Sequence, residues 1–149
     1  MIIRLRPLDV ASPIIMLDEN EHGNRVRVSV QYAEGTIVAD MLEGDFALDC
    51  IATINQSSAI VICGGRAVLF KLPGIVKIIE CYPVLDLTSW KDTLILVHFN
   101  RLTVVNESEV IASPRLVTDE LRVVNVTETL IDYVGVLDGE IVQGSYRYR

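Results

Sequence analysis

The sequence has few of the residues that carry most enzyme and metal chemistry. Its 149 residues include two histidines, three cysteines and one tryptophan. Cys50, Cys63 and Cys81 show no C-x-x-C or other metal-ligand spacing. Their odd number argues against a disulfide framework and favours reduced structural thiols, as in cytoplasmic proteins. We therefore expect no metal site and no disulfide scaffold.

Nucleotide, cofactor and acyl-transfer motifs are missing as well. Gly64 and Gly65 follow an apolar run but open no helix, and the sequence contains neither a G-x-G-x-x-G pattern nor a P-loop. The acyl-transfer pattern G-x-S-x-G is also absent. The sequence therefore predicts no cofactor and favours a protein that is not an enzyme.

Basic residues are outnumbered. The chain has 13 lysines and arginines against 20 aspartates and glutamates, a net charge of −7, and its one basic concentration is the C-terminal Arg147-Tyr148-Arg149. Binding to nucleic acid or to an anionic membrane surface needs a clustered basic face, so the charge disfavours both partners. Another protein, of basic charge, is the expected partner.

No uninterrupted apolar run approaches the roughly 20 residues that a membrane-spanning helix needs, although half of the residues are hydrophobic. The N-terminal MIIRLRPLDVASP places Arg4, Arg6 and Pro7 where a secretory signal would need an unbroken apolar stretch. From these two features we expect a soluble, cytoplasmic protein.

The β-branched residues valine, isoleucine and threonine are abundant, and short apolar runs alternate with Gly, Asn, Asp or Pro. β-Branched side chains lose rotamer freedom in helices and pack well on a pleated sheet. The pattern predicts one all-β domain over residues 1–149, with helical turns at residues 44–50 and 88–92 as its main helical content.

One apolar–turn–apolar segment occurs twice, about 35 residues apart. Residues 59–70 read AIVICGGRAVLF, and residues 94–105 read LILVHFNRLTVV. Each copy predicts an antiparallel strand meander, with Gly64-Gly65 at the turn of one copy and Asn100-Arg101 at the turn of the other. Weaker matches at residues 26–41 and 122–144 extend the pattern to four units.

A strand meander repeated at about 35 residues and closed by a glycine-containing turn resembles the repeats of β-propeller proteins, in particular the quinoprotein-like type. The resemblance is strongest over residues 59–121, and the WD-repeat signatures and the tryptophan that docks quinoprotein blades are absent. The segment RLVTDELRVVNVTETLIDYVGVLDGEIV is also similar to small uncharacterised bacterial all-β domains. The resemblance implies a propeller-like arrangement, and a sandwich or roll is the alternative.

Acidic residues follow the apolar ends of the units, and these residues are Asp49, Asp86, Asp119 and Glu120. If the units surround an axis, the carboxylates share one rim that attracts a basic protein or a cation. Alternatively, each aspartate accepts hydrogen bonds from turn N–H groups. Trp90 stands in a polar setting, where it is either an interface anchor or a plug at the end of the core.

Cys63 and His98 occupy equivalent positions in the two copies and form the alternative reactive pair. A thiol beside an imidazole can become an activated thiolate, whereas a buried cysteine usually behaves as a small apolar residue. His22 lies in the acidic stretch DENEHGN, whose spacing does not match a calcium loop. We expect a solvated acidic tip there.

The C-terminal SYRYR predicts an edge strand with tyrosines on one face and arginines on the other, which either docks on residues 2–5 or stays open to a partner. The first hypothesis is a non-catalytic protein-binding or scaffolding module with an acidic surface, for example an immunity or antitoxin-like protein. One alternative is an enzyme, or a small-ligand or metal-binding protein, with its site among strand-end loops. Another is a structural subunit that forms homo-oligomers.

Overall fold

The structure of the protein is a computed structural model that describes residues 2–6, 14–17, 23–32 and 35–149. These residues form fifteen strands in four sheets and no helix, so the all-β fold predicted from the sequence is confirmed. The described part of the chain accordingly has no helix that could cross a membrane. The chain divides into two compact units, Met1–Glu80 and Cys81–Arg149.

The first unit contains two sheets. The N-terminal sheet has the order β1-β3-β4-β2, with β2 parallel to β4, and its strands are β1 (Ile2–Arg6), β2 (Ile14–Met16), β3 (Arg25–Tyr32) and β4 (Gly35–Leu42). The second sheet is antiparallel throughout and follows chain order, and its strands are β5 (Cys50–Asn55), β6 (Ser58–Cys63), β7 (Arg66–Lys71) and β8 (Ile75–Ile79).

The second unit also contains two antiparallel sheets in chain order. The third sheet consists of β9 (Asp86–Trp90), β10 (Thr93–Val97), β11 (Leu102–Val105) and β12 (Val110–Ala112). The C-terminal sheet consists of β13 (Asp119–Val126), β14 (Leu130–Leu137) and β15 (Glu140–Arg147). The predicted helical turn at residues 88–92 was wrong, because Trp90 pairs with Thr93 across a tight hairpin. The turn predicted at residues 44–50 is also not helical, since residues 45–47 form a bend.

Successive side chains of β3 and β4 point to opposite faces of the N-terminal sheet, so that one face is apolar and the other carries an ion pair. Apolar side chains of β3 and β4 pack against the second sheet in a shared core of Val28, Val30, Ile37, Ala39, Met41, Val61, Cys63, Val68 and Phe70. Burial of each large apolar side chain contributes about 1.5–3 kcal/mol. On the other face of β3, Arg27 lies opposite Asp40 of β4, and its guanidinium donates bonds of 2.6 and 2.8 Å to the two carboxylate oxygens.

The core of the second unit lies between the third and C-terminal sheets. Its buried residues are Ile95, Val97, Leu102, Val104, Val117, Leu121, Ile131 and Tyr148. Tyr148 is anchored because its hydroxyl donates a 2.7 Å hydrogen bond to the carbonyl of Thr127. As the sequence predicted for SYRYR, Tyr146 and Tyr148 pack on this core while the two arginines are exposed. The suggested pairing with residues 2–5 was wrong, since β1 pairs with β3 and β15 with β14.

Candidate protein-binding face

The hairpin of β14 and β15 is set by its two-residue turn. Asp138 and Gly139 both have positive φ angles, of 51° and 86°. Two positive φ angles define a type I′ turn, whose twist matches that of the flanking strands. Leu137 lies opposite Glu140 beside the turn, and the pairing continues without a register shift to the ends of both strands. The turn thus decides which residues share a face.

The C-terminal sheet has one buried face and one face open to solvent. Buried-face residues such as Leu121 and Ile131 belong to the core of the second unit. On the other face the side chains of the three strands align in rows. The rows are Asp119–Val136–Ile141, Arg122–Val134–Gln143 and Asn125–Asp132–Ser145, and we call these nine residues the outer face.

The row of the outer face nearest the turn is unusually apolar for a solvated surface. Ile141 is 85% exposed, and it lies directly opposite Val136. Val124, at an irregularity in the pairing of β13 outside this row, is 64% exposed. Leaving an isoleucine in water forgoes about 1.5–3 kcal/mol that burial would supply. An exposed apolar side chain that adjoins another apolar residue within a polar border is typical of interaction surfaces, and here Ile141 adjoins the half-buried Val136.

The row farthest from the turn is hydrogen-bonded across all three strands. The carboxylate of Asp132 accepts a 2.5 Å bond from the hydroxyl of Ser145 and a 3.3 Å bond from the amide of Asn125. The bond from Ser145, and then the one from Asn125, lower the pKa of Asp132. Hydrogen bonds to the charged form keep this carboxylate ionised at neutral pH. The outer face therefore carries a fixed negative charge at this end.

The acidic residues predicted as partner-binding lie at strand starts and accept backbone hydrogen bonds. Asp86 and Asp119 begin β9 and β13, and each accepts a 2.8 Å bond from the N–H of the next residue. Asp49 precedes β5 and accepts a 2.6 Å bond from the N–H of Gly64. All three side chains are exposed. Asp49 thus holds a turn, whereas Asp86 and Asp119 bond within their own strands, and the shared rim stays a prediction.

Glu120 and Trp90 occupy different surroundings. Glu120 has a φ of 55° and lies where the pairing of β13 shifts register, next to the Asp119 row of the outer face. Trp90 ends β9 in the third sheet, where it is half-buried and the ammonium of Lys91 lies 4.3 Å from its ring centroid. Such a cation–π contact stabilises by about 0.5–1 kcal/mol at exposed sites. Trp90 is therefore engaged within its own hairpin.

Cys63 and His98 are both buried, in surroundings that disfavour a reactive pair. Burial, followed by the charge of Asp49, raises the pKa of Cys63 to about 11, so its thiol stays protonated at neutral pH. Burial, followed by the charge of Arg101, lowers the pKa of His98 to about 4. The Nε2 atom of His98 lies 2.9 Å from the hydroxyl of Thr103. The protonated thiol of Cys63 is a poor nucleophile, and the lowered pKa of His98 makes its imidazole a weak base.

A shallow cleft of about 330 Å³ lies in the second unit, lined by Asp92, Asn106, Glu107, Ser108, Glu109 and Arg149. Arg149 donates to the hydroxyl of Thr93 at 3.2 Å, and Asn106 accepts from two backbone N–H groups of its own turn. Within the described ranges, no three His, Cys, Asp or Glu residues are grouped so as to hold a metal ion. His22 lies outside those ranges.

The central residues of the outer face were not predicted from the sequence. Asp119 and Glu120 were predicted as partner-binding, whereas Ile141, Val136 and the hydrogen-bonded row at Asp132 were not. A signal was present, because the Asp138-Gly139 dipeptide between two alternating segments fixes the register of a hairpin. The sequence did not reveal which face of that hairpin the rest of the chain covers.

No protein-family model, curated protein or solved structure matches this chain. The resemblance to propeller-type repeats and to small bacterial all-β domains therefore stays a prediction.

Proposed function

We propose that this protein is a non-catalytic protein-binding module and that the outer face is its binding surface. The observation that carries the proposal is the row Asp119–Val136–Ile141, in which an isoleucine 85% exposed lies beside a second apolar side chain and a carboxylate. The solvated face of an antiparallel sheet usually carries polar side chains. An apolar row on that face gains free energy when a partner covers it.

The partner that fits this surface is a basic protein with an apolar patch. Three exposed carboxylates lie in or next to the apolar row, and they belong to Asp119, Glu120 and Asp138. The chain as a whole has a net charge of −7. Opposite charge accelerates association and selects against acidic competitors. An immunity or antitoxin-like protein that neutralises a basic toxin is one concrete form of this function.

The rival hypothesis is an enzyme, or a small-ligand or metal-binding protein. Its best candidates, Cys63 and His98, are buried, and their pKa values are moved away from the reactive range. This burial favours a binding module over chemistry at that pair. We also propose a cytoplasmic location, which is supported by three cysteines that form no disulfide. The acidic charge supports neither nucleic acid nor an anionic membrane as partner.

The proposal is tested with a partner captured from native extract and identified by mass spectrometry. Its affinity is then measured for the wild type and for the double variant Asp119→Asn, Glu120→Gln over a range of salt concentrations. We expect the dissociation constant to rise about tenfold and its salt dependence to weaken. The matched control, Glu107→Gln with Glu109→Gln, removes the same charge from the turn between β11 and β12 and should bind like the wild type. Equal loss in both variants would contradict the proposed surface.

A further inference from the structure

Strand β15 is an open edge without the usual protections. Within the described strands it pairs with β14 alone. Open edges present unpaired N–H and C=O groups that pair with other chains, so natural edge strands are short, bulged, charged or interrupted by proline. β15 is eight residues long and pairs with β14 without a register shift. Between Glu140 and Arg147 its sequence IVQGSY contains neither charge nor proline.

Other edge strands of the structure carry such protections. β12 is three residues long, and β8 has Lys77 at its centre. β5 shifts register between Thr53 and Asn55, and β13 shifts register at two places. β15 differs from these strands, and it also carries Ile141, the most exposed of the large hydrophobic residues among the described positions.

The type I′ turn determines which backbone groups of β15 face the open edge. In a two-residue hairpin the residues that flank the turn exchange both hydrogen bonds, and here these are Leu137 and Glu140. Every second residue of β15 then bonds to β14 as well, namely Val142, Gly144 and Tyr146. The N–H and C=O groups of the alternate residues point to the open edge, and these residues are Ile141, Gln143, Ser145 and Arg147.

We propose that β15 pairs with β15 of a second copy of this chain, in an antiparallel arrangement with two-fold symmetry. The two ends of the strand differ in charge: Asp138 and Glu140 lie at its start, and Arg147 and Arg149 lie at its end. Antiparallel two-fold pairing places the acidic start of each strand beside the basic end of the other. This complementarity favours a second copy over an unrelated segment as the occupant of the edge.

The alternation of faces restricts the register of this pairing. Outer-face residues must lie opposite outer-face residues so that the two sheets continue into each other. Centring the pair on Gly144 satisfies this rule and places Gln143 opposite the partner's Ser145. The same register places Ile141 opposite the partner's Arg147. All four edge-facing residues of each strand are then hydrogen-bonded.

The dimer goes beyond the proposed binding function. It leaves the outer face open and joins two outer faces into one continuous surface. A partner with two matching sites would then bind with a gain in avidity that a monomer lacks. The dimer itself is tested on the purified chain alone, so its result does not depend on whether a partner is found.

The test is sedimentation equilibrium of the purified chain from low micromolar to near-millimolar concentration. We expect the wild type to rise from the monomer mass to twice that mass. Gln143→Pro removes an N–H that faces the edge without removing a bond to β14, and Ile141→Lys places a cation opposite the partner's Arg147. Each variant should raise the dimer dissociation constant about tenfold or more. Val124→Lys, at an exposed position on β13 at the other edge of the sheet, is the matched control and should dimerise like the wild type.

Hydrogen exchange measured by NMR provides the second readout. The amides of the four edge-facing residues should become protected as the concentration rises, whereas those of Val142, Gly144 and Tyr146 should be protected throughout. If the Gln143→Pro and Ile141→Lys variants still dimerise like the wild type, the proposed interface is overturned. A wild-type chain that stays monomeric at every concentration would overturn the dimer.

Discussion

The carboxylate of Asp49 accepts a 2.6 Å hydrogen bond from the N–H of Gly64, and this bond joins the turn after β6 to the segment before β5. Three backbone bonds reinforce the same junction, among them one of 3.1 Å from the N–H of Gly44 to the carbonyl of Cys63. Gly64 has a φ of 57°. The turn is therefore held in a left-handed conformation against a backbone that passes close by.

Replacement of Gly64 by alanine should destabilise the fold strongly. A Cβ atom at Gly64 would overlap the carbonyl oxygen of Gly44, and the positive φ adds strain. We expect Gly64→Ala to lower the free energy of unfolding by about 3 kcal/mol or more, measured by urea denaturation. Gly74→Ala is the control, because a Cβ there meets nothing within 4 Å, and its effect should stay within about 0.5 kcal/mol. Equal stability of the two variants would contradict this account of the turn.

The thiol of Cys63 should be inert in the folded protein. Burial and the charge of Asp49 raise its pKa to about 11, so almost none of it is thiolate near neutral pH. Alkylation by iodoacetamide, followed by peptide mass spectrometry, should modify the half-buried Cys50 first and reach Cys63 only after denaturation. Asp49→Asn should raise the reactivity of Cys63, because it removes one of the causes of the raised pKa. Alkylation of Cys63 as fast as that of Cys50 in the native protein would reverse our preference for a non-catalytic module.

The buried His98 should make stability depend on pH on the acidic side. Its pKa is lowered from 6.5 to about 4 in the folded protein, so the unfolded chain binds more protons between these values. The free energy of unfolding should be largest above pH 6.5 and fall by up to about 3 kcal/mol as the pH drops to 4. His98→Gln should flatten this slope in denaturation curves recorded across that range. An unchanged slope would show that other groups cause the acid sensitivity.

Removing one partner of the Arg27–Asp40 ion pair should lower the free energy of unfolding, whereas replacing both partners by apolar residues should lower it much less. The side chains are 10% and 8% exposed, and the two hydrogen bonds from Arg27 lower the pKa of Asp40. Asp40→Ala leaves the Arg27 guanidinium without its carboxylate, and we expect it to lower the unfolding free energy more than removal of both charges does. The double variant Arg27→Met, Asp40→Leu removes both charges and should recover most of that loss. If the double variant lost as much unfolding free energy as the two single variants together, Arg27 and Asp40 would not act as a buried ion pair.

Much of the local structure could be predicted from the sequence because it depends on neighbouring residues. The glycines at 64 and 65 both have positive φ, as a tight turn there requires. The apolar–turn–apolar segments at residues 59–70 and 94–105 form antiparallel hairpins, of β6 with β7 and of β10 with β11. In these segments the β-branched residues and the turn residues indicate the same structure, so local preference and final fold agree.

The failures concern properties that depend on distant residues. Residues 88–90 become strand because β10 pairs with them, a pairing that the local sequence does not show. Asp49 and Gly64 meet across 15 positions of the chain, which no local pattern shows. The exposure of Ile141 was missed for the same reason, because alternation divides a strand into two faces but does not tell which face is covered.

The measurement that tests the central claim most directly is the affinity of the captured partner for Ile141→Lys, determined by calorimetry. Both this variant and its reference carry Gln143→Pro, so that any loss of dimer is common to the two. The control, also in the Gln143→Pro background, is Val110→Lys, at an apolar position of the third sheet that is 40% exposed. If the outer face is the binding surface, the lysine at position 141 raises the dissociation constant at least about tenfold while the control has no effect. Equal affinity for all three proteins would show that the partner binds elsewhere.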